Sequence, residues 1–175
     1  MSGFGDRFAG GTAWEMKLAD GLRARGWKVA PFGQAQIKDD FRSALRDFTD
    51  GFGRPTLIRW LPDLLIARAD RVALIDAKTE SESNRNSPNY AIEFNALEAG
   101  LVVVERLHTP LFYVWPDGGV MTPEIVWQRW NRRLDGKAAA GSKTSFLLVD
   151  RGFAMKADEV FGRRLFEAVP ESAAG

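Results

Sequence analysis

TLIRWLPDLLIARADRVALIDAKT, spanning Thr56 to Thr79, reads as a β-hairpin. Leu57 to Ala67 is rich in leucine and isoleucine, and Val72 to Ala77 is apolar except for Asp76. Arg68-Ala69-Asp70-Arg71 is a short polar break between them, the usual composition of a hairpin turn. Folding symmetrically about Ala69 and Asp70 sets Ala67 against Val72, Leu65 against Leu74 and Asp63 against Asp76. Opposed side chains in such a pair have β-carbons roughly 4.5–5.5 Å apart. Lys78, two residues beyond Asp76, projects from the same face. Ala73, Ile75 and Ala77 line the other face, so the second strand is apolar on both sides and belongs in the middle of a covered sheet.

Two carboxylates facing each other there repel and resist ionisation. A divalent cation removes the conflict, and hard oxygen ligands at that separation suit Mg²⁺. A salt-bridged surface pair at a strand end is the plainer account of Asp76 and Lys78. The apolar pattern on both faces argues against it.

Pro62-Asp63, then Asp76-Ala77-Lys78 thirteen positions after Asp63, resembles the PD-(D/E)xK nuclease superfamily. The motif also has a decoy in this chain, Pro116-Asp117 followed by Asp135-Gly136-Lys137. Trp115 to Gly119 has the chemistry of a tight turn, and the second triplet lies in a Gly/Ala/Lys loop without strand pattern. Only the first match rests on two apolar strands. The resemblance implies an α/β, restriction-endonuclease-like fold: an αβββαβ core with a central mixed sheet flanked by helices. It implies a metal-dependent endonuclease acting on DNA, with Mg²⁺ (or Mn²⁺ in its place) as cofactor. Asp63, Asp76 and the main-chain carbonyl of Ala77 become its ligands, and Lys78 the residue that positions the attacking water. Compact members resemble Holliday-junction resolvases, often homodimers. Restriction-type and repair-type enzymes share the core, and so could a non-catalytic binding module, which the intact Asp, Asp and Lys set disfavours. Glu15 precedes Asp63 by 48 positions, longer than expected of the smallest resolvase-like members.

The chain has 175 residues, enough for one domain with a full core. It has no cysteine and one histidine, His108, which excludes disulfides, thiolate sites and zinc sites built on several histidines. No apolar run approaches membrane-span length, and a cytoplasmic location is the default expectation. The net charge of +1 gives no global pull toward nucleic acid, so a basic footprint has to be local.

Met1 to Gly11 is glycine-rich and reads as loose. Thr12 is placed to cap a helix from Ala13 to Arg25, buried along Trp14, Leu18 and Leu22, with Glu15 completing a capping box. The resemblance offers Glu15 a second role, a metal-proximal acid on the first helix. Trp27 to Ala30 reads as a strand and Ile37 to Phe48 as an inserted helix. Gly51 to Pro55 reads as a turn. Thr79 to Ser87 is an apolar-free loop, in which Asn84, Arg85 and Asn86 either meet phosphate or are simply exposed. Ser87-Pro88 spells a helix start, with Tyr90, Phe94 and Leu97 on one stripe and an end near Leu107. The run Leu101 to Val104 fits strand or helix, and helix is the expectation. Glu93 lies where family members often carry a polar group reaching the site. His108 reads as a surface or capping residue.

Leu111 to Trp115 reads as a strand, Val120-Met121 as a returning edge strand, and Thr122-Pro123-Glu124 as a helix start with Val126, Trp130 and Leu134 buried. From Arg129 to Lys143 there are five basic residues and one acid. Arg129, Arg132, Arg133, Lys137 and Lys143 make a nucleic-acid-binding patch by phosphate neutralisation, or a surface helix with arginine stems laid over the core. Phe146 to Val149 reads as the final strand, Ala157 to Ala168 as a closing helix and Pro170 to Gly175 as a frayed tail.

Overall fold

The computed structural model describes residues 4–33, 56–79, 87–131 and 146–162. The inserted helix, the turn before the hairpin, the decoy triplet, Arg85, Arg132, Arg133, Leu134, Lys137, Lys143 and the C-terminal tail lie outside them.

Helix α1 (Phe4–Arg23) is followed by β1 (Lys28–Pro31), β2 (Leu64–Arg68) and β3 (Arg71–Ala77). Then come β4 (Asn89–Glu93), α2 (Phe94–Leu107), β5 (Leu111–Val114), β6 (Gly119–Met121) and α3 (Pro123–Arg129). The described chain closes with β7 (Phe146–Asp150), β8 (Met155–Lys156) and α4 (Ala157–Phe161). The main sheet has the order β1-β2-β3-β5-β6-β8, mixed because β3 and β5 run parallel. The expected αβββαβ order is therefore present as α1, β1, β2, β3, α2 and β5.

The hairpin pairs Ala67 with Val72 and Leu65 with Leu74, as read from its sequence, but the ladder ends at Leu64 and Ile75. The Asp63 amide donates to Ile75 O, so the expected Asp63–Asp76 pair is not part of the ladder. Its first arm is shorter than expected. Leu57–Trp60 is a 3₁₀ turn, capped by Thr56 Oγ1 accepting from the Ile58 amide at 3.3 Å. Pro62 has no N–H to give a ladder, so the strand begins only at Leu64.

β3 is covered on both faces. Ala73, Ile75 and Ala77 pack with Trp14, Leu18 and Leu22 of α1 and Phe161 of α4. Leu74 packs on the other side with Leu97 and Val103 of α2, Val126 of α3, and Tyr90, Ile92 and Val149. Each fully buried aliphatic contributes roughly 1.5–3 kcal/mol.

Five further expectations are corrected. α1 begins at Phe4, so Thr12 lies inside the helix and no capping box forms. Propagating a helix from a packed segment costs less than nucleating one, which carries it back through the glycines. Asn89–Glu93 is a strand with Tyr90 and Ile92 buried in alternation; the helix starts at Phe94, which is 41 % exposed. β4 pairs antiparallel with β7 in a separate two-stranded sheet, and β7 is not the last strand, because β8 follows it. β6 is not an edge, because β8 pairs along its other side. α3 stops at Arg129, where Trp130 turns extended and the Asn131 amide donates to the Leu148 carbonyl at 2.8 Å.

The decoy Pro116-Asp117 has a structural role. Asp117 accepts from the Tyr90 hydroxyl at 2.8 Å and from Arg151 at 2.7 Å, while Tyr90 stacks on Trp115 at 4.0 Å. This clasp ties the β4–β7 layer to the β5–β6 turn. His108 caps α2 in the left-handed region (φ 49°, ψ 36°), as a capping residue should. Among the described residues no helix is long and apolar enough to cross a membrane.

Candidate active site

The site forms where β3 ends. The main chain there is held from both sides. The Lys78 amide donates to Val114 O at 2.9 Å, continuing the β3–β5 pairing. On the other flank the Asp63 amide donates to Ile75 O at 2.8 Å, and the Phe32 amide donates to Asp63 O at 2.7 Å. Asp63 is thus fixed between β1 and β3 just before β2 begins. Its carboxylate Oδ2 accepts from the Ala77 amide at 2.7 Å.

Asp76 and Lys78 alternate onto the α2 face, as the strand period requires. The Lys78 ammonium meets Asp76 Oδ2 at 2.9 Å and lies 5.0 Å from the centre of the Tyr113 ring. Lys78 is only 5 % exposed. Tyr113 is itself buried, with its hydroxyl donating to Ala96 O at 3.0 Å. Burial pushes the phenol far above its ordinary range, so it stays neutral beneath the ammonium.

A cavity of about 260 Å³ opens over this end of the sheet, lined by Glu15, Asp63, Asp76, Ala77 and Lys78. Arg59, Trp60 and Glu93 complete its rim. α1 supplies Glu15, the residue before β2 supplies Asp63, β3 supplies Asp76, and the end of β4, where α2 is about to start, supplies Glu93. Trp60 Nε1 donates to Glu93 Oε2 at 2.7 Å, joining the 3₁₀ turn to α2.

Burial pushes the Asp63 carboxyl well above the usual carboxylate range; the Asp76 and Glu15 charges push the same way. The Ala77 hydrogen bond and the Lys78 charge oppose them. Among the described residues four carboxylates and two cations line the cavity, so acids outnumber bases there.

Asp63, Asp76 and the Ala77 carbonyl are the groups here whose oxygen chemistry would suit a divalent cation. Among the described residues no three acidic or histidine side chains gather into a ready-made cage. Two aspartates beside a main-chain position, with water completing the shell, match the way Mg²⁺ is bound by one or two carboxylates. Asp63 Oδ2 is engaged by Ala77, and Oδ1 remains for an ion.

Of the residues named from sequence, Asp63, Asp76, Ala77, Lys78 and Glu15 share this one cavity, and Glu93 joins them. Arg129 does not line it; its guanidinium lies 4.9 Å from the Phe153 ring. Sequence reasoning missed Arg59 and Trp60, because a strand reading of Leu57–Ala67 gave neither a place at the site.

No protein-family model and no curated protein matches the chain. Similar solved structures include Hjc, a Holliday junction resolvase from the archaeal hyperthermophile Archaeoglobus fulgidus. It shares 12% identity at a TM-score of 0.49, covering 87% of this chain and 96% of that one. D212, a nuclease from a fusselovirus, shares 14% identity at a TM-score of 0.43, covering 95% of both chains.

Proposed function

We propose that this protein is a Mg²⁺-dependent endonuclease that hydrolyses phosphodiester bonds in DNA. The observation that carries this reading is a nearly inaccessible Lys78 paired with Asp76 in the cavity that also holds Asp63. Lysine is rarely this buried, and a structural ion pair of ordinary kind lies at the surface. Perturbed, buried ionisable groups in a cleft mark functional sites more often than structural ones.

Asp63, Asp76 and the Ala77 carbonyl would hold the ion, with Glu15 supporting it through water. Bound Mg²⁺ supplies Lewis-acid activation of the phosphoryl group and of the attacking water. The chain's own residues do the rest. Lys78 orients the water with its N–H donors and offsets the negative charge that builds on the phosphoryl oxygens. Tyr113 and Ala96 keep the ammonium's surroundings dry and fixed. Water adds to phosphorus and gives up one proton to solvent, one P–O ester bond breaks, and the leaving oxygen takes a proton from solvent.

Purified protein incubated with linear, single-stranded and four-way DNA, with and without Mg²⁺, tests this. Cutting that needs Mg²⁺ and disappears in Asp76→Asn supports the enzyme, and the preferred substrate tells whether branched DNA is favoured. Retention on DNA without cutting under any of these conditions overturns the catalytic reading in favour of a binding module.

A further inference from the structure

We infer that Arg59 is a phosphate-binding residue at the mouth of the acidic cavity, an assignment that rests on the nuclease reading above. A nucleic acid approaching this site meets Glu15, Asp63, Asp76 and Glu93. Lys78 offsets only part of that field, because it is committed to Asp76 and shielded from solvent. Arg59 is the other cation on the cavity wall. It is exposed, and among the described residues it lies over an aromatic ring rather than against a carboxylate.

The guanidinium is held in place without using up its donors. It lies 5.3 Å from the centre of the Trp60 ring. Trp60 is in turn anchored by its indole N–H to Glu93 at 2.7 Å, and the turn carrying both is capped by Thr56. An arginine stacked on an indole face keeps the N–H groups at its edge free, and that planar fork matches a phosphate. The acid Glu93, which would otherwise compete for Arg59, is engaged by Trp60. The geometry therefore supplies a positive edge on a cavity wall where, among the described residues, acids outnumber bases.

The test uses the uncleaving Asp76→Asn protein as background and measures binding to fluorescein-labelled linear and four-way DNA across a salt series. Adding Arg59→Ala should weaken binding roughly tenfold at ~0.1 M salt. It should also lower the slope of log affinity against log salt by about 1, the signature of one lost phosphate contact. Adding Arg23→Ala, two turns beyond Glu15 on α1 and paired with Asp20, should leave the slope unchanged. Arg59→Ala should melt like its parent, since the side chain is exposed. An unchanged slope in Arg59→Ala, or an equal drop in Arg23→Ala, overturns the assignment. Failure of the parent protein to cut any of these DNAs with Mg²⁺ is a different result, and it removes the nuclease reading beneath the inference.

Discussion

The Ala77 amide donates to the carboxylate of Asp63 at 2.7 Å, joining the acid that precedes β2 to the end of β3. The bond fixes Asp63 beside Asp76 and Glu15, whose charges both oppose its ionisation. Two substitutions separate the bond from the charge. Asp63→Asn keeps an oxygen that accepts from Ala77 and should leave the fold intact, while Asp63→Ala strands a buried amide and should cost about 1–3 kcal/mol. Both should lose cleavage and lose the rise in melting temperature that Mg²⁺ gives the parent. Thermal melts with and without Mg²⁺ decide it: a parent-sized Mg²⁺ shift in Asp63→Asn would place the ion elsewhere.

The same residue sets a pH dependence. Its folded pKa is raised, mainly by burial. Between the unfolded value of about 3.9 and the raised folded value, the folded state keeps a proton that the unfolded chain has released. Stability without metal should therefore fall as pH rises through that window. Mg²⁺ requires the ionised form, so its stabilising effect should grow over the same range. Denaturant unfolding at a series of pH values, with and without Mg²⁺, checks both slopes. Asp63→Asn should flatten them, and a Mg²⁺ effect independent of pH in the parent would contradict the assignment.

The hairpin was legible because its information is local. Arg68 to Arg71 closes over two turn residues, Ala69 and Asp70, and the alternation of Leu65, Leu74 and Asp76 fixes which side chains share a face. Only the extent of the first arm was misread: apolar Leu57, Ile58 and Trp60 look like strand, and the break at Pro62 weighs more than their composition. The β4–β7 sheet was not legible, because Glu93 pairs with Phe146 far along the chain and Pro88 suits a helix start as well as a strand. Glu15 illustrates a coincidence of spacing. Thr12-x-x-Glu15 spells a capping box, yet α1 already runs through it, and Glu15 faces the cavity with the aspartates.

Ala69 offers a test of the hairpin itself. It sits at the turn between β2 and β3 with φ +53°, a region that costs an alanine about 1–2 kcal/mol. Ala69→Gly removes that cost but loosens the unfolded chain, so a net gain of about 0.5–1 kcal/mol is expected. Cleavage should be unchanged, because the turn lies at the opposite end of the strands from Asp63 and Asp76. Chemical denaturation measures the gain; a clear loss of stability would mean that the turn, and with it the β2–β3 register, is built differently.

Lys78 separates holding an ion from doing chemistry. Lys78→Met keeps a long unbranched stem over Tyr113 and removes the ammonium. Without metal, Asp76 loses its ion partner in a poorly solvated site, and breaking a buried pair costs about 3–5 kcal/mol. Mg²⁺ should restore much of that stability, and at lower concentration than the parent needs, since a competing positive charge has gone. Cleavage should nevertheless fall by about 10²–10³, the scale of losing one preorganised donor to developing charge. Melting temperature against Mg²⁺ concentration and single-turnover cleavage on the same samples give the two readouts. Cleavage at the parent rate would reduce Lys78 to a structural partner of Asp76. Weaker Mg²⁺ binding together with lost cleavage would instead make it a support for the metal site, with no separate part in the hydrolysis.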